Sequence, residues 1–299
     1  MNGLEVSDLT KRYGRVQALR HVSFAVAAGE VFGYLGPNGA GKTTTLRIAV
    51  GLVRADQGSV RLLGRAAGEA RARESVGYLP GDLRLYLDMT GAGLLNCGAR
   101  FRLGRPPVLR AQLLETFGLS ETDLARRVKT LSHGTRQKLG LVLALQHDPD
   151  LLLLDEPTSG LDPLVQHAFR GLLRELAGRG KTVLFSSHVL SEVEAVCGRV
   201  AILKAGEVLA VETIQTLRER VVRRMQVRFA AAAPATLAGL PGVTRAQVSG
   251  REATLWVQGD LNPLLRELAG WPVEQLIFPE PQLEDIFLGY YGPQESRHA

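Results

Sequence analysis

Apolar residues recur along the chain in distinct rhythms, and each rhythm points to a kind of element. Alternation at Leu4, Val6 and Leu9, then at Val22, Phe24 and Val26, predicts antiparallel strands that each bury one face. Val31 to Leu35 is instead a short continuous apolar run that ends in glycine, the pattern of a strand buried on both faces. Val76 to Leu79, Leu151 to Leu154, Val183 to Ser186 and Val200 to Leu203 repeat it, the last followed by a turn at Ala205-Gly206-Glu207 into Val208 to Val211. No strand pattern interrupts Leu83 to Gln146. That segment reads as a mostly helical insertion, with Pro106-Pro107 opening one helix and Ser120 capping another. Short strands alternating with helices predict an α/β fold, a sheet with helices packed on it.

After Thr213 the texture changes. A helix over Ile214 to Val221 leads into alternation at Met225 to Phe229, a helix near Ala233 to Leu240, and strands at Val243 to Ser249 and Ala253 to Val257 joined by Gly250-Arg251. A helix at Leu261 to Ala269 and a strand at Val273 to Phe278 follow. This β-α-β-β-α-β order predicts a small α+β domain, a ferredoxin-like sheet with two helices on one face, and it carries no catalytic constellation. A chain of 299 residues has room for one large and one small domain, expected at 1–215, with the helical insertion at about 83–146, and at 216–299.

Composition narrows the class. A hydrophobic share of 45% with only 6% aromatics fits a globular protein with an aliphatic core. Met1 to Gly14 carries charges and no apolar core of a secretory signal, and no apolar run approaches the roughly 18 residues that span a bilayer. The expectation is a polypeptide soluble by itself. Cys97 and Cys197 are too few for a disulfide framework or a zinc cluster. The formal charge of +6 comes mostly from singly scattered arginines with no aromatics between them. That describes a solvated mixed surface first and attraction to a membrane surface second, with no nucleic acid expected.

The chemistry begins where the run Val31 to Leu35 enters Gly36-Pro37-Asn38-Gly39-Ala40-Gly41-Lys42-Thr43, a match to G-x-x-x-x-G-K-[ST] between a predicted strand and a predicted helix. Glycine lets the backbone N–H groups curl around a phosphate chain, and the helix from Lys42 to Val50 presents its positive end to the same phosphates. Lys42 supplies a point charge for β- and γ-phosphates, Thr44 follows in the same first turn, and the hydroxyl of Thr43 can ligate Mg²⁺. The second element is Leu151-Leu152-Leu153-Leu154-Asp155-Glu156, a buried strand delivering two adjacent carboxylates. Paired with the phosphate loop, Asp155 is the metal-side candidate and Glu156 the general base that polarises an attacking water.

These motifs resemble those of the ABC (ATP-binding cassette) ATPases. Leu154-Asp155-Glu156-Pro157-Thr158-Ser159-Gly160-Leu161-Asp162-Pro163 is similar to their joined Walker B and D-loop, Leu131-Ser132-His133-Gly134-Thr135 to their signature motif, and Ser186-Ser187-His188 to their switch-histidine loop. The resemblance covers about the first 210 residues, with the motifs in family order. It implies a cassette with N-terminal antiparallel strands, a P-loop core sheet and a helical subdomain, and it implies ATP and Mg²⁺ as cofactors. By the same resemblance Tyr13 stacks on adenine, His188 contacts the γ-phosphate, and Ser132 and Gly134 face the γ-phosphate held by a second subunit, with Asp162 communicating across a head-to-tail dimer. Two positions depart from the pattern. His133 and Thr135 stand where glycine and glutamine are commonest, and Gly81, in Gly77-Tyr78-Leu79-Pro80-Gly81-Asp82, stands where the family carries the Q-loop glutamine.

Gly-Tyr-Leu-Pro before an acidic residue, Gln137-Lys138-Leu139-Gly140-Leu141, and Leu283-Glu284-Asp285-Ile286-Phe287-Leu288 followed by Tyr290-Tyr291 are similar to ATPases of the ABC-2 export type. That resemblance implies a cytoplasmic ATPase subunit, peripheral on the inner face of the membrane, that drives export through a permease on another chain. The alternative is a soluble ABC ATPase acting on ribosomes or nucleic acid; one cassette and no sustained heptads set this chain apart from such members. Gln282 to Tyr291 reads as a terminal helix with Leu283, Ile286, Phe287 and Tyr290 on one apolar face. Either that face docks on its own chain, or it helps hold two subunits together or adjusts the ATPase.

Overall fold

The computed structural model describes residues 2–102, 106–220, 222–279 and 285. Its contacts divide the chain into two units, one of Met1–His188 with Glu192–Val211 and one of Val189–Ser191 with Glu212–Ala299.

In the first unit, the alternating N-terminal segments form β1 (Asn2–Tyr13) and β2 (Val16–Ala27), which pair antiparallel. The buried runs become β3 (Val31–Leu35), β6 (Val76–Leu79), β7 (Leu151–Asp155), β8 (Thr182–Ser187) and β9 (Arg199–Lys204). β4 (Gln57–Leu62) and β5 (Arg65–Ala66) complete the antiparallel sheet in the order β2-β1-β4-β5. The second sheet has six strands ordered β10-β9-β3-β8-β7-β6, with β10 at Glu207–Thr213. Within it β3 pairs in parallel with β8 and β9, and β7 with β6 and β8. Every residue of β3, β7 and β8 is buried, so their side chains face covered surfaces on both sides. Ala205 and Gly206, at φ 48° and 83°, form the two-residue turn between β9 and β10.

The helices α1 (Lys42–Ala49), α2 (Ala70–Arg73), α3 (Gly91–Arg100), α4 (Arg110–Thr116), α5 (Glu121–Ala125), α6 (His133–Leu145), α7 (Pro163–Gly178) and α8 (Leu190–Glu194) lie between the strands. Among its described residues the span from 83 to 146 holds helices α3 to α6 and the 3₁₀ turn Val128–Thr130, and Ser120 caps α5 with a full capping box. Pro106-Pro107 does not open a helix, however. The next one begins at Arg110, beyond the turn in which the Arg110 amide donates to the Pro107 carbonyl.

In the second unit, α9 (Ile214–Arg220) precedes a four-stranded sheet of β11 (Arg223–Phe229), β12 (Val243–Ser249), β13 (Glu252–Val257) and β14 (Val273–Ile277). Their order is β12-β13-β11-β14, and each adjacent pair is antiparallel. Met225, Val227 and Phe229 alternate inward and pack with Ala253, Leu255 and Val257 against Leu237 and, from α10 (Asn262–Leu268), Leu264 and Leu268. The helix predicted near 233–240 is a single 3₁₀ segment, Ala235–Gly239. Pro234 precedes it, and Pro241-Gly242 closes the chain before an α-helix could add a second turn. The predicted terminal helix over 282–291 lies outside the described residues, apart from Asp285.

Candidate functional site

The motif residues converge because three neighbouring parallel strands, β3, β8 and β7, deliver their C-terminal ends to one edge of the sheet. From β3 the chain turns through residues 36–41 into α1, whose first residue follows Gly41 at φ 109°. That conformation belongs to glycine, and no side chain caps the first turn, so its backbone N–H groups remain available to an anion. Pro37, Asn38, Gly39, Gly41, Lys42, Thr43 and Thr44 line a concave site of about 190 Å³ together with Ala18 and Glu156. Gly36 and Ala40 support the loop from behind. The Gly36 amide donates to the Ser187 carbonyl at 3.3 Å, and the buried Ala40 donates to Pro37 at 3.1 Å.

Lys42 is 5% exposed, and its Nζ donates to the Gly36 carbonyl at 2.6 Å and lies 3.3 Å from Glu156 Oε1. The loop therefore holds its own cation beside the position where phosphate oxygens would accept. Asp155 ends β7 fully buried. Its Oδ2 accepts from the Thr43 hydroxyl and its Oδ1 from the Ser186 hydroxyl, each at 2.6 Å. Burial of a carboxylate is tolerated when both oxygens are satisfied, and here the partners come from two different motifs. Thr43 and Asp155 form an all-oxygen pair suited to a hard cation. Among the described residues no cluster of three His, Cys, Asp or Glu gathers to hold a metal.

Glu156 sits one residue beyond the strand in a left-handed conformation, φ 49°. Such a φ is costly for a side chain of this length and marks a backbone over-determined by its surroundings. Its amide donates to the Ser186 carbonyl at 3.2 Å, and its Oε2 lies 2.8 Å from Nδ1 of His188, which follows β8. The carboxylate is thus bracketed by Lys42 on one oxygen and His188 on the other.

The remaining predicted residues occupy other places. Tyr13 ends β1 half-exposed, with Lys11 Nζ 5.5 Å from its ring centre, and is not among the residues lining the P-loop site. Ser132 caps α6, accepting from the Thr135 amide at 3.1 Å, and with Gly134 it too stands apart from that lining. Gly134 approaches the D-loop so closely that a Cβ there would meet the Gly160 carbonyl oxygen at 2.6 Å. His133 lies across Gly160, which has φ 71° and no room for a side chain beneath the ring. The unusual histidine of the signature segment is therefore accommodated by a glycine in the D-loop. Asp162 caps α7 through the Val165 amide, which holds its carboxyl below the usual carboxylate range.

Gly81, in the loop after β6, lies against the metal-side carboxylate, since a Cβ there would lie 3.1 Å from Asp155 Oδ2. Asp82 beside it turns to Arg84 instead, accepting from its Nε at 3.0 Å. Sequence reasoning assigned no role to Ser186, which orients Asp155, or to Gln137, whose buried amide donates to the Pro157 carbonyl at 3.1 Å. The sequence offers for the latter only that Gln137 shares a helix face with Leu141 and Ala144.

A family model described as ABC transporter matches residues 19–159. The chain is 36% identical over 296 residues to the Nod factor export ATP-binding protein I of Rhizobium meliloti (strain 1021), an alignment covering 97% of this chain and 88% of that relative. It is 40% identical over 226 residues to an uncharacterized ABC transporter ATP-binding protein of Nostoc sp., covering 71% of this chain and 66% of the relative. A second such protein, from Synechocystis sp., is 41% identical over 70% of this chain and 62% of its own length, so the chain spans less than two thirds of these two relatives. Among solved structures, one described as the ATP binding subunit of an ABC transporter superposes with a TM-score of 0.66 at 32% identity, over 72% of this chain and 91% of that one.

Proposed function

This chain belongs to the ABC transporter ATP-binding proteins, and from that premise we propose that it hydrolyses ATP to drive export through a permease on a separate chain. The observation that carries the reading is the convergence of Lys42, Thr43, Asp155, Glu156 and His188 at one sheet edge, linked by contacts of 2.6 to 3.3 Å. The P-loop N–H groups and the end of α1 bind the β- and γ-phosphates, and Lys42 exchanges the Gly36 carbonyl for phosphate oxygen. Thr43 and Asp155 are the residues that would hold Mg²⁺, which when bound neutralises charge on the phosphates. Glu156, adjacent to the phosphate site, takes the proton of the attacking water, and His188 donates to the γ-phosphate while keeping Glu156 in place.

Ser132 and Gly134 do not line the P-loop site of their own chain, which agrees with the proposal that they contact the phosphate held by a second copy. Hydrolysis then requires a dimer, and Tyr13 is the side chain proposed to stack on adenine. Export is supported by the similarity to the Nod factor export proteins, which runs through the second unit as well as the first. No helix among the described residues is long and apolar enough to cross a membrane. A membrane partner is supported by the helical insertion, where Tyr86 and Phe101 are 72% and 81% exposed. Tyr86 lies in the segment that follows Gly81, so an element docked there is a few residues from the Asp155 carboxylate. The proposed location is the cytoplasmic face of the membrane, held there by the permease.

The test is the dependence of ATPase rate on protein concentration without permease. Specific activity that rises with concentration supports the two-chain site, and a constant specific activity down to nanomolar protein contradicts it. Co-purification with a polytopic membrane protein encoded by an adjacent gene supports the transport reading; fractionation with ribosomes favours the non-transport one.

A further inference from the structure

The two catalytic loops are joined by a carboxylate that takes no part in the phosphate site. Glu192, on α8, accepts from the Thr158 hydroxyl through Oε1 at 2.7 Å and from the Ser187 hydroxyl through Oε2 at 2.6 Å. Thr158 follows Glu156 by two residues, and Ser187 immediately precedes His188. Both hydroxyl-bearing residues are buried, at 3% and 0% exposure, and both bonds to Glu192 are short and charge-assisted. Glu192 itself does not line the P-loop site. One side chain, using one oxygen for each loop, therefore spans the turn after the general base and the strand end before the histidine.

We propose that Glu192 is a positioning residue for ATP hydrolysis, fixing the separation of these two loops and with it the 2.8 Å contact between Glu156 and His188. The inference rests on the reading of Glu156 as the base. The backbone bonds that build the P-loop do not pass through the Glu192 carboxylate, since Gly36 is tied to the Ser187 carbonyl and not to its hydroxyl. Loss of Glu192 should accordingly disturb the geometry of the hydrolytic step while sparing nucleotide binding. An ångström-scale misplacement of a catalytic group costs up to about 100-fold in rate, and release of one of two tethers should cost about tenfold.

The experiment measures kcat and KM for ATP, with equilibrium ATP binding, in the full-length protein and in Glu192→Gln, Thr158→Val and Ser187→Ala. Glutamine keeps the shape but offers one acceptor oxygen to two donors. The expected result is a kcat about tenfold lower in Glu192→Gln with ATP affinity changed less than about twofold, and little further loss when Thr158→Val is added to it. A purely structural role would lower the melting temperature without this split between kcat and KM. If Glu192→Gln fails to fold, Thr158→Val and Ser187→Ala decide by the same split. Wild-type kcat in the folded variants, or loss of ATP binding at unchanged kcat, overturns the proposal alone. A wild-type protein without ATPase activity overturns the functional reading and the proposal together.

Discussion

The two sheets that end in the P-loop site and in the C-terminal unit solve different problems with the same aliphatic material. In the parallel sheet, β3, β7 and β8 are buried throughout, and their ends carry Asp155, Ser186 and Ser187 at 0% exposure. In the antiparallel sheet of β11 to β14, alternation covers one face with Met225, Val227, Leu255 and their neighbours, and every buried side chain described in that unit is apolar. All buried polar and charged side chains among the described residues lie between Thr10 and Ser187. Burying polar groups costs stability unless each is satisfied, and where the three motifs meet Lys42, Asp155, Ser186 and Ser187 are all buried with partners. One sheet gathers charged and hydroxyl side chains at its edge, and the other is organised around its own packing.

The contrast is sharpened first by Leu255→Ala, which empties a fully buried position in the antiparallel core. A loss of about 2–5 kcal/mol is expected in chemical denaturation, with ATP affinity unchanged. A parallel loss of ATP binding would show that the two units are not separable in this way. Next is Lys42→Ala, where removal of the charge donor to phosphate should weaken ATP binding by about 1.5–3 kcal/mol in calorimetry, with no expected change in the unfolding of the C-terminal unit. Gly134→Ala has a smaller effect. Its Cβ meets the Gly160 carbonyl at 2.6 Å, and the repacking should cost about 1 kcal/mol of stability and lower concentration-dependent ATPase activity. The smallest effect on the site is expected from deleting residues beyond Val222, which should leave ATP affinity within about twofold, or 0.4 kcal/mol, while weakening association without nucleotide. Identical sedimentation of truncated and full-length protein at every concentration would leave the C-terminal unit no role in holding the dimer.

The legible parts of the sequence were those in which chemistry and local geometry coincide. The P-loop and the Asp155-Glu156 pair are contiguous, and each lies at the end of a run buried on both faces, so strand, turn and site could be read together. β4 was not legible, because only Val60 and Leu62 of its six residues are buried and two inward positions make no recognisable alternation. The helix expected near 233–240 is shortened to the 3₁₀ segment Ala235–Gly239 by the flanking Pro234 and Pro241. Glu192 could not be found by spacing at all. Its partner Thr158 is 34 residues away, and only the adjacency of β7 and β8 brings their loops together.

The central claim is that Glu156 is the base of an ATP-hydrolysing site, and single-turnover hydrolysis in Glu156→Gln tests it most directly. The substitution keeps the size of the side chain and removes its ability to take a proton. With ATP in place and Mg²⁺ present, bound nucleotide should be retained at near wild-type affinity while phosphate release falls by about 100-fold or more, leaving a stable ATP-bound dimer by light scattering. Phosphate released at the wild-type rate by Glu156→Gln would contradict the account.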